Sequence, residues 1–269
     1  MKLLLCVNGA PTTRPTIDYG VWLASLVKAG VTLLGIVETQ TQRTLVEALL
    51  DEAGTQLEGS HIPTRRLIVD GLSEDVIPAQ AAQDEYLTLV GPLGRPFWLR
   101  WLRGRSIRRL FAALETPLLY VPASRSRLER ILICMGGIGH TANLVRLAKQ
   151  LALVSRAQVT LLHIVAPATF DYPVTHAVYD DQALLATDTP PARYLQAALD
   201  ELQAAGLATT VRVRRGHITQ EILDETRQED YDLVGLGSHY SAEGLRPYFT
   251  PNVTSEVAEA AGRPVLVVR

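Results

Sequence analysis

The stretch "LLLCVNG" occupies residues 3–9, and "ILICMGG" occupies residues 131–137. Sliding the chain by 128 residues lays the first on the second, with Cys6 on Cys134. The same shift carries "VTLLGIVE" (31–38) onto "VTLLHIVA" (159–166) without a gap. Later matches need a larger offset: Gly71 pairs with Gly216, 145 residues on, and "TPLLYVP" from residue 116 pairs with "RPVLVVR" from residue 263, 147 on. Extra loop in the second half, between the early and late matches, accounts for the change. Self-similarity of this kind predicts a tandem duplication.

Working outward from Leu3–Val7, each half alternates apolar strands with helical patterns. A helix through Ile17, Val21, Ala24 and Val27 follows the first strand, and Val31–Val37 is the second strand. A helix near residues 41–57 and a strand near Arg65–Val69 come next. Residues 73–83 read as helix, "YLTLVG" as the fourth strand, "SIRRLFAALE" as a helix with Ile107, Leu110, Phe111 and Leu114 on one face, and "PLLYV" as the last strand. Short continuous apolar strands separated by helices predict a parallel sheet covered on both faces. Right-handed crossovers make each half a doubly wound α/β layer. The expected organisation is a first domain over residues 1–123, a Pro/Ser/Arg linker over 124–130 with little to bury, and a second domain over 131–269. A loop-like insertion near 167–191 is found only in the second half.

Composition excludes several function classes. The net charge of −2 gives no reason to propose nucleic acid as partner. Both cysteines lie in apolar runs, which argues against a disulfide framework and for a reducing, cytoplasmic compartment. No window approaches the roughly 18–20 apolar residues of a membrane-spanning helix, and no stable membrane association is expected. None of the six histidines makes a metal-ligand spacing with a second histidine or a cysteine, so no metal is expected. His140 opens a helix and His163 sits inside a strand, both structural positions. "THAVYDD", with His176, Asp180 and Asp181, reads as a solvated loop. Strand-buried thiols make poor nucleophiles, and no Ser-His-Asp elbow or paired catalytic carboxylates stand out, so no catalytic residue is assigned.

In a sheet of this kind, ligands bind beyond the carboxyl ends of strands where the winding reverses. Two first-half loops carry suitable groups: "VNGAP" after the first strand, and "GPLGRPFWLRWLRGRS" (91–106) after the fourth. Gly91, Gly94 and Gly104 follow G-x2-G-x9-G. Gly104, Arg105 and Ser106 open a helix whose free N–H groups suit phosphate oxygens, and Arg95 and Arg105 add cationic donors. Phe97, Trp98 and Trp101, interleaved with arginines, read as packing or as a lid over the ligand site.

With these strands and this glycine loop, the chain resembles a tandem universal stress protein. "LLLCVNG", "VTLLGIVE", the glycine loop and "TPLLYVP" look like one such domain; "ILICMGG", "VTLLHIVA", "DLVGLGS" and "RPVLVVR" look like another. The resemblance implies five-stranded parallel sheets, domains paired through their last strands (Leu118–Val121 and Val265–Val268), and homodimers as a further possible assembly. Some members of the family bind ATP and others do not. Carried over, the first-domain nucleotide site comprises Val7, Asn8, Gly9, Ile36, Gly91, Gly94, Arg95, Gly104, Arg105 and Ser106. ATP-binding members usually have an aspartate after the first strand; Asn8 stands there in the first half and Gly136 in the second. Arg105 takes the place of the expected Ser or Thr. In the second half Gly237 is retained, Tyr240 falls on a glycine, and Pro251 and Asn252 replace Gly and Ser or Thr. Proline has no N–H to give a phosphate, so the second site is expected to be defunct for ATP. Three functions stay open: a stress-response protein holding an adenine nucleotide in its first domain, a nucleotide-free interaction scaffold, and, least favoured, a nucleotide-hydrolysing enzyme.

Overall fold

The structure, a computed structural model, describes residues 1–94, 107–136, 141–165, 181–237 and 251–269. The chain divides into two compact units, one of Met1–Ser126 with Gly262–Leu266 and one of Arg127–Ala261 with Val267–Arg269.

In the first unit, β1 (Lys2–Val7), β2 (Gly30–Val37), β3 (Thr64–Asp70), β4 (Tyr86–Val90) and β5 (Leu118–Tyr120) alternate with α1 (Arg14–Val27), α2 (Arg43–Gly59), α3 (Ser73–Ala81) and α4 (Ile107–Ala113). The strands lie in the order β3-β2-β1-β4-β5. β1 pairs in parallel with β2 on one side and β4 on the other. β1, β2, β4 and β5 are buried almost throughout, as their unbroken apolar runs require. β3 has only one neighbouring strand, and its residues alternate between half-buried and exposed.

The second unit repeats the plan. β6 (Arg130–Met135), β7 (Gln158–Val165), β8 (Thr209–Arg215) and β9 (Leu233–Gly237) lie in the order β9-β6-β7-β8, and the last strand, β10 (Val265–Val268), is divided between the two units. Its helices are α5 (Ala142–Ser155), α6 (Asp181–Leu185), α7 (Pro190–Ala204), α8 (Ile218–Gln228) and α9 (Pro251–Ala260). The likeness of the halves reaches single dihedral angles. α1 ends at Lys28 with φ 52°, its N–H donating to the Ala24 carbonyl; α5 ends 128 residues later at Arg156 with φ 58°, donating to Ala152. Both are left-handed caps built on long basic residues rather than on glycine, the usual choice.

Two expectations need correction. The 167–191 insertion is not loop throughout: residues 181–185 form α6, and Pro190 begins α7, whose Thr189 cap accepts from the Ala192 N–H. Residues 166–180, with His176 and Asp180, fall outside the described residues, as does His140. The linker, moreover, is not free of buried groups. Leu128 is buried, and the nearly sequestered Asp232 accepts from Arg127 Nε at 2.7 Å, Glu129 N at 2.8 Å and Arg130 N at 3.1 Å. One buried aspartate thus accepts from the backbone donors of the chain entering β6.

Candidate functional site

The winding of the first unit reverses between β1 and β4, so the loops leaving Val7 and Val90 flank the crevice where such sheets take ligands. After Val7 the chain turns at Gly9 (φ 61°), where a Cβ would lie 3.1 Å from Val46 Cγ2. Pro11 then opens a single 3-10 turn ahead of α1. Asn8 is buried, and its side chain is engaged within the protein. Its Oδ1 accepts from Thr13 Oγ1 at 2.5 Å and, more weakly, from Ala10 N at 3.4 Å, while Nδ2 donates to the Leu93 carbonyl at 3.5 Å. Thr12 Oγ1 donates to the Pro92 carbonyl at 2.7 Å. Thr16 in α1, also buried, donates to the Val121 carbonyl at 3.2 Å.

The β4 loop needs its glycines. A Cβ at Gly91 would stand 2.1 Å from Thr16 Oγ1; one at Gly94, where φ is 66°, would stand 2.5 Å from Ala10 Cβ. Gly91 thus brings the β4 loop against α1, and Gly94 brings it against the β1 loop, closer than a side chain permits. Of the ten residues assigned to the site from sequence, Val7, Asn8, Gly9, Gly91 and Gly94 lie at the ends of β1 and β4. Ile36 lies one strand over in β2, fully buried as Val7 is. Arg95, Gly104, Arg105 and Ser106 lie outside the described residues. Sequence reasoning missed Ala10, Thr12, Thr13 and Thr16. The run "APTT" at the mouth of a helix was the available signal, because hydroxyls there favour local capping and turn bonds.

The second unit is built differently at the same point. Gly136 stands where Asn8 does and offers no side chain. Gly237, the counterpart of Gly91, is under no comparable constraint: a Cβ there would make ordinary contact, 3.5 Å from Thr141 Cγ2. In β2, Gly35 lets α2 lie close, since a Cβ would meet Leu50 Cδ1 at 2.6 Å. His163 holds the equivalent position in β7, with its Nδ1 3.1 Å from the Met135 carbonyl at the end of β6. A carbonyl can only accept, so Nδ1 carries the proton in this contact. Burial pushes the His163 pKa below its ordinary 6.5, partly offset by that hydrogen bond. The folded unit therefore binds this proton less readily than the unfolded chain. The stability tied to His163 is present above about pH 6.5 and is lost as pH falls from there toward the depressed folded value. Urea denaturation between pH 7.5 and 5.5 should show a steeper loss for the natural chain than for His163→Gln; parallel slopes would refute this.

Burial also pushes up the pKa of Cys6 and Cys134, which keeps both thiols protonated and unreactive. Among the described residues, no three His, Cys, Asp or Glu side chains come together as a metal site, and no helix is long and apolar enough to cross a membrane.

The architecture is that of known structures. A universal stress protein from Archaeoglobus fulgidus DSM 4304 superposes with a TM-score of 0.73 at 13% identity, over 100% of this chain and 96% of its own. A Pseudomonas aeruginosa UCBPP-PA14 protein, described as a candidate universal stress protein, gives 0.69 at 15% identity, covering 99% and 92%. The cytoplasmic domain of a prokaryotic cation chloride cotransporter gives 0.59 at 14% identity, covering 99% and 94%. Identities this low speak for the fold alone. No curated protein matches the sequence. A sequence model of the universal stress protein family matches residues 127–269, which is more than half of the chain. With the fold and this match together, the chain belongs to the universal stress protein family.

Proposed function

We propose that the chain is a tandem universal stress protein whose first unit holds one adenine nucleotide at the carboxyl ends of β1 and β4, and whose second unit has lost that site. The observation that carries this reading is the convergence of Asn8, Gly91 and Gly94 at the strand-order reversal, with glycine required sterically at 91 and 94. Glycine there lets the backbone approach a ligand as closely as it approaches α1 and Ala10 now. ATP is the expected nucleotide, and Arg95, Gly104, Arg105 and Ser106 are the proposed phosphate contacts. The tandem reading draws on the shared strand order and on the αL caps 128 residues apart. Gly136 supports a defunct second site, because no side chain there replaces Asn8.

The nucleotide-free scaffold keeps a place on one observation: Asn8, at the end of β1, already has both ends of its amide engaged by the protein. Thermal unfolding of the full chain with ATP, ADP, AMP and cyclic AMP separates the two. A ligand at a hundred times its Kd stabilises the folded state by about 2.7 kcal/mol, a shift of several degrees in a protein of this size. A shift with at least one nucleotide is expected; no shift with any at millimolar concentration leaves the scaffold. ATP turnover above background would instead call for an enzyme.

A further inference from the structure

We propose that the crevice at the β1–β4 reversal is latched shut by the protein's own β4 loop, with Thr12 as the latch residue. This rests on the reading that a nucleotide enters there. Three contacts join the loops that a ligand would have to lie between. Thr12 Oγ1 donates to the Pro92 carbonyl at 2.7 Å, and Asn8 Nδ2 donates to the Leu93 carbonyl at a longer 3.5 Å. Gly94 lies so close to Ala10 that a Cβ on it would stand 2.5 Å from Ala10 Cβ and 3.6 Å from Ala10 Cα. Successive residues of one loop, Pro92, Leu93 and Gly94, are thus each tied to the other loop.

The three ties differ in strength. Asn8 is buried and also serves Thr13, so losing it would loosen the β1 loop as well. The Ala10–Gly94 contact is van der Waals packing. Thr12 is exposed, and its hydroxyl makes the shortest bond across the gap. A single hydrogen bond in competition with water shifts an equilibrium by about fivefold. That is enough to keep the loops together most of the time and weak enough for a ligand to displace. The apparent affinity of a ligand that needs the open form falls in proportion to how seldom that form is populated. Removing the hydroxyl should therefore tighten binding, the reverse of what a ligand-contacting threonine would do. In the second unit Gly136 cannot supply the Asn8–Leu93 tie.

The test is Thr12→Val, which keeps the shape of an exposed residue, with Thr12→Ser restoring the hydroxyl. Two quantities are read on the full chain: the NMR order parameters of the Leu93 and Gly94 amides without ligand, and the calorimetric Kd for ATP. The latch predicts lower order parameters in Thr12→Val and ATP bound up to about fivefold tighter, with Thr12→Ser behaving as the natural protein. Unchanged order parameters overturn the latch whichever way binding moves. Unchanged or weaker ATP binding in Thr12→Val, where the natural protein binds ATP, also overturns it. If the order parameters fall while neither protein binds any nucleotide, the latch stands and the nucleotide reading fails.

Discussion

Replacing Asp232 by alanine is expected to lower the stability of the second unit by about 3 kcal/mol. The carboxylate is 1% exposed and accepts the Glu129 and Arg130 N–H groups on one oxygen and Arg127 Nε on the other. Alanine removes the acceptor of two backbone donors at the entry to β6, one on exposed Glu129 and one on half-buried Arg130, and a hydrogen bond to a charged group is worth about 1.5–3 kcal/mol. Arg127 suffers less, because it is half exposed and keeps Asp230 as a partner. Asp232→Asn should lose less than alanine, since an amide oxygen can still accept. The first unit offers a natural contrast. Its Lys2–Asp84 pair stands at the corresponding end of β1 but in water, so Asp84→Ala should change little. Native-state hydrogen exchange of the β6 amides reads the effect within the second unit. Exchange more than about a hundredfold faster in Asp232→Ala is expected, a tenfold change corresponding to 1.4 kcal/mol. No change would mean that the linker donors find other acceptors.

Gly91→Ala should destabilise the first unit by about 2–4 kcal/mol. The added methyl would lie 2.1 Å from Thr16 Oγ1 and 3.3 Å from Thr16 Cβ, so one of two things must give. Either the Thr16 hydroxyl rotates away, losing its bond to the Val121 carbonyl in a fully buried setting, or the β4 loop is pushed off α1. A double-mutant cycle with Thr16→Ala decides. If the clash with the hydroxyl dominates, the double variant is more stable than the sum of the single changes predicts, by about 1–2 kcal/mol. Additive losses would mean that the backbone cannot adjust even with the hydroxyl gone. Gly237→Ala, its counterpart, should cost much less, because ordinary contact distance to Thr141 is available.

These cases show where sequence reasoning reaches and where it stops. The central strands could be read directly because burial on both faces leaves unbroken apolar runs; the half-exposed pattern of β3 and β8 is weaker, since edge strands meet water. The 128-residue shift also pairs Gly35 with His163 from the sequence alone. What that pairing means for packing, a close α2 in one unit and a buried imidazole in the other, depends on neighbours far along the chain. The same holds for Asp232, which serves residues 102 and 103 positions earlier, and for Asn8, whose amide meets a carbonyl 85 positions later. Asn8 looked like an uncharged stand-in for a ligand-binding aspartate. In the structure it also ties two loops together, a role with no local signature. The glycines at 91 and 94 were legible as a spacing, whereas the threonine and alanine that make them necessary were not.

The central claim, one nucleotide in the first unit and none in the second, is tested most directly by an ATP titration of the full chain followed through backbone amide chemical shifts. Saturable shifts at Asn8, Gly9, Gly91 and Gly94, with Gly136 and Gly237 unmoved, are the predicted result. Shifts centred on Gly136 and Gly237, or no saturable shift at any of these residues, would contradict it.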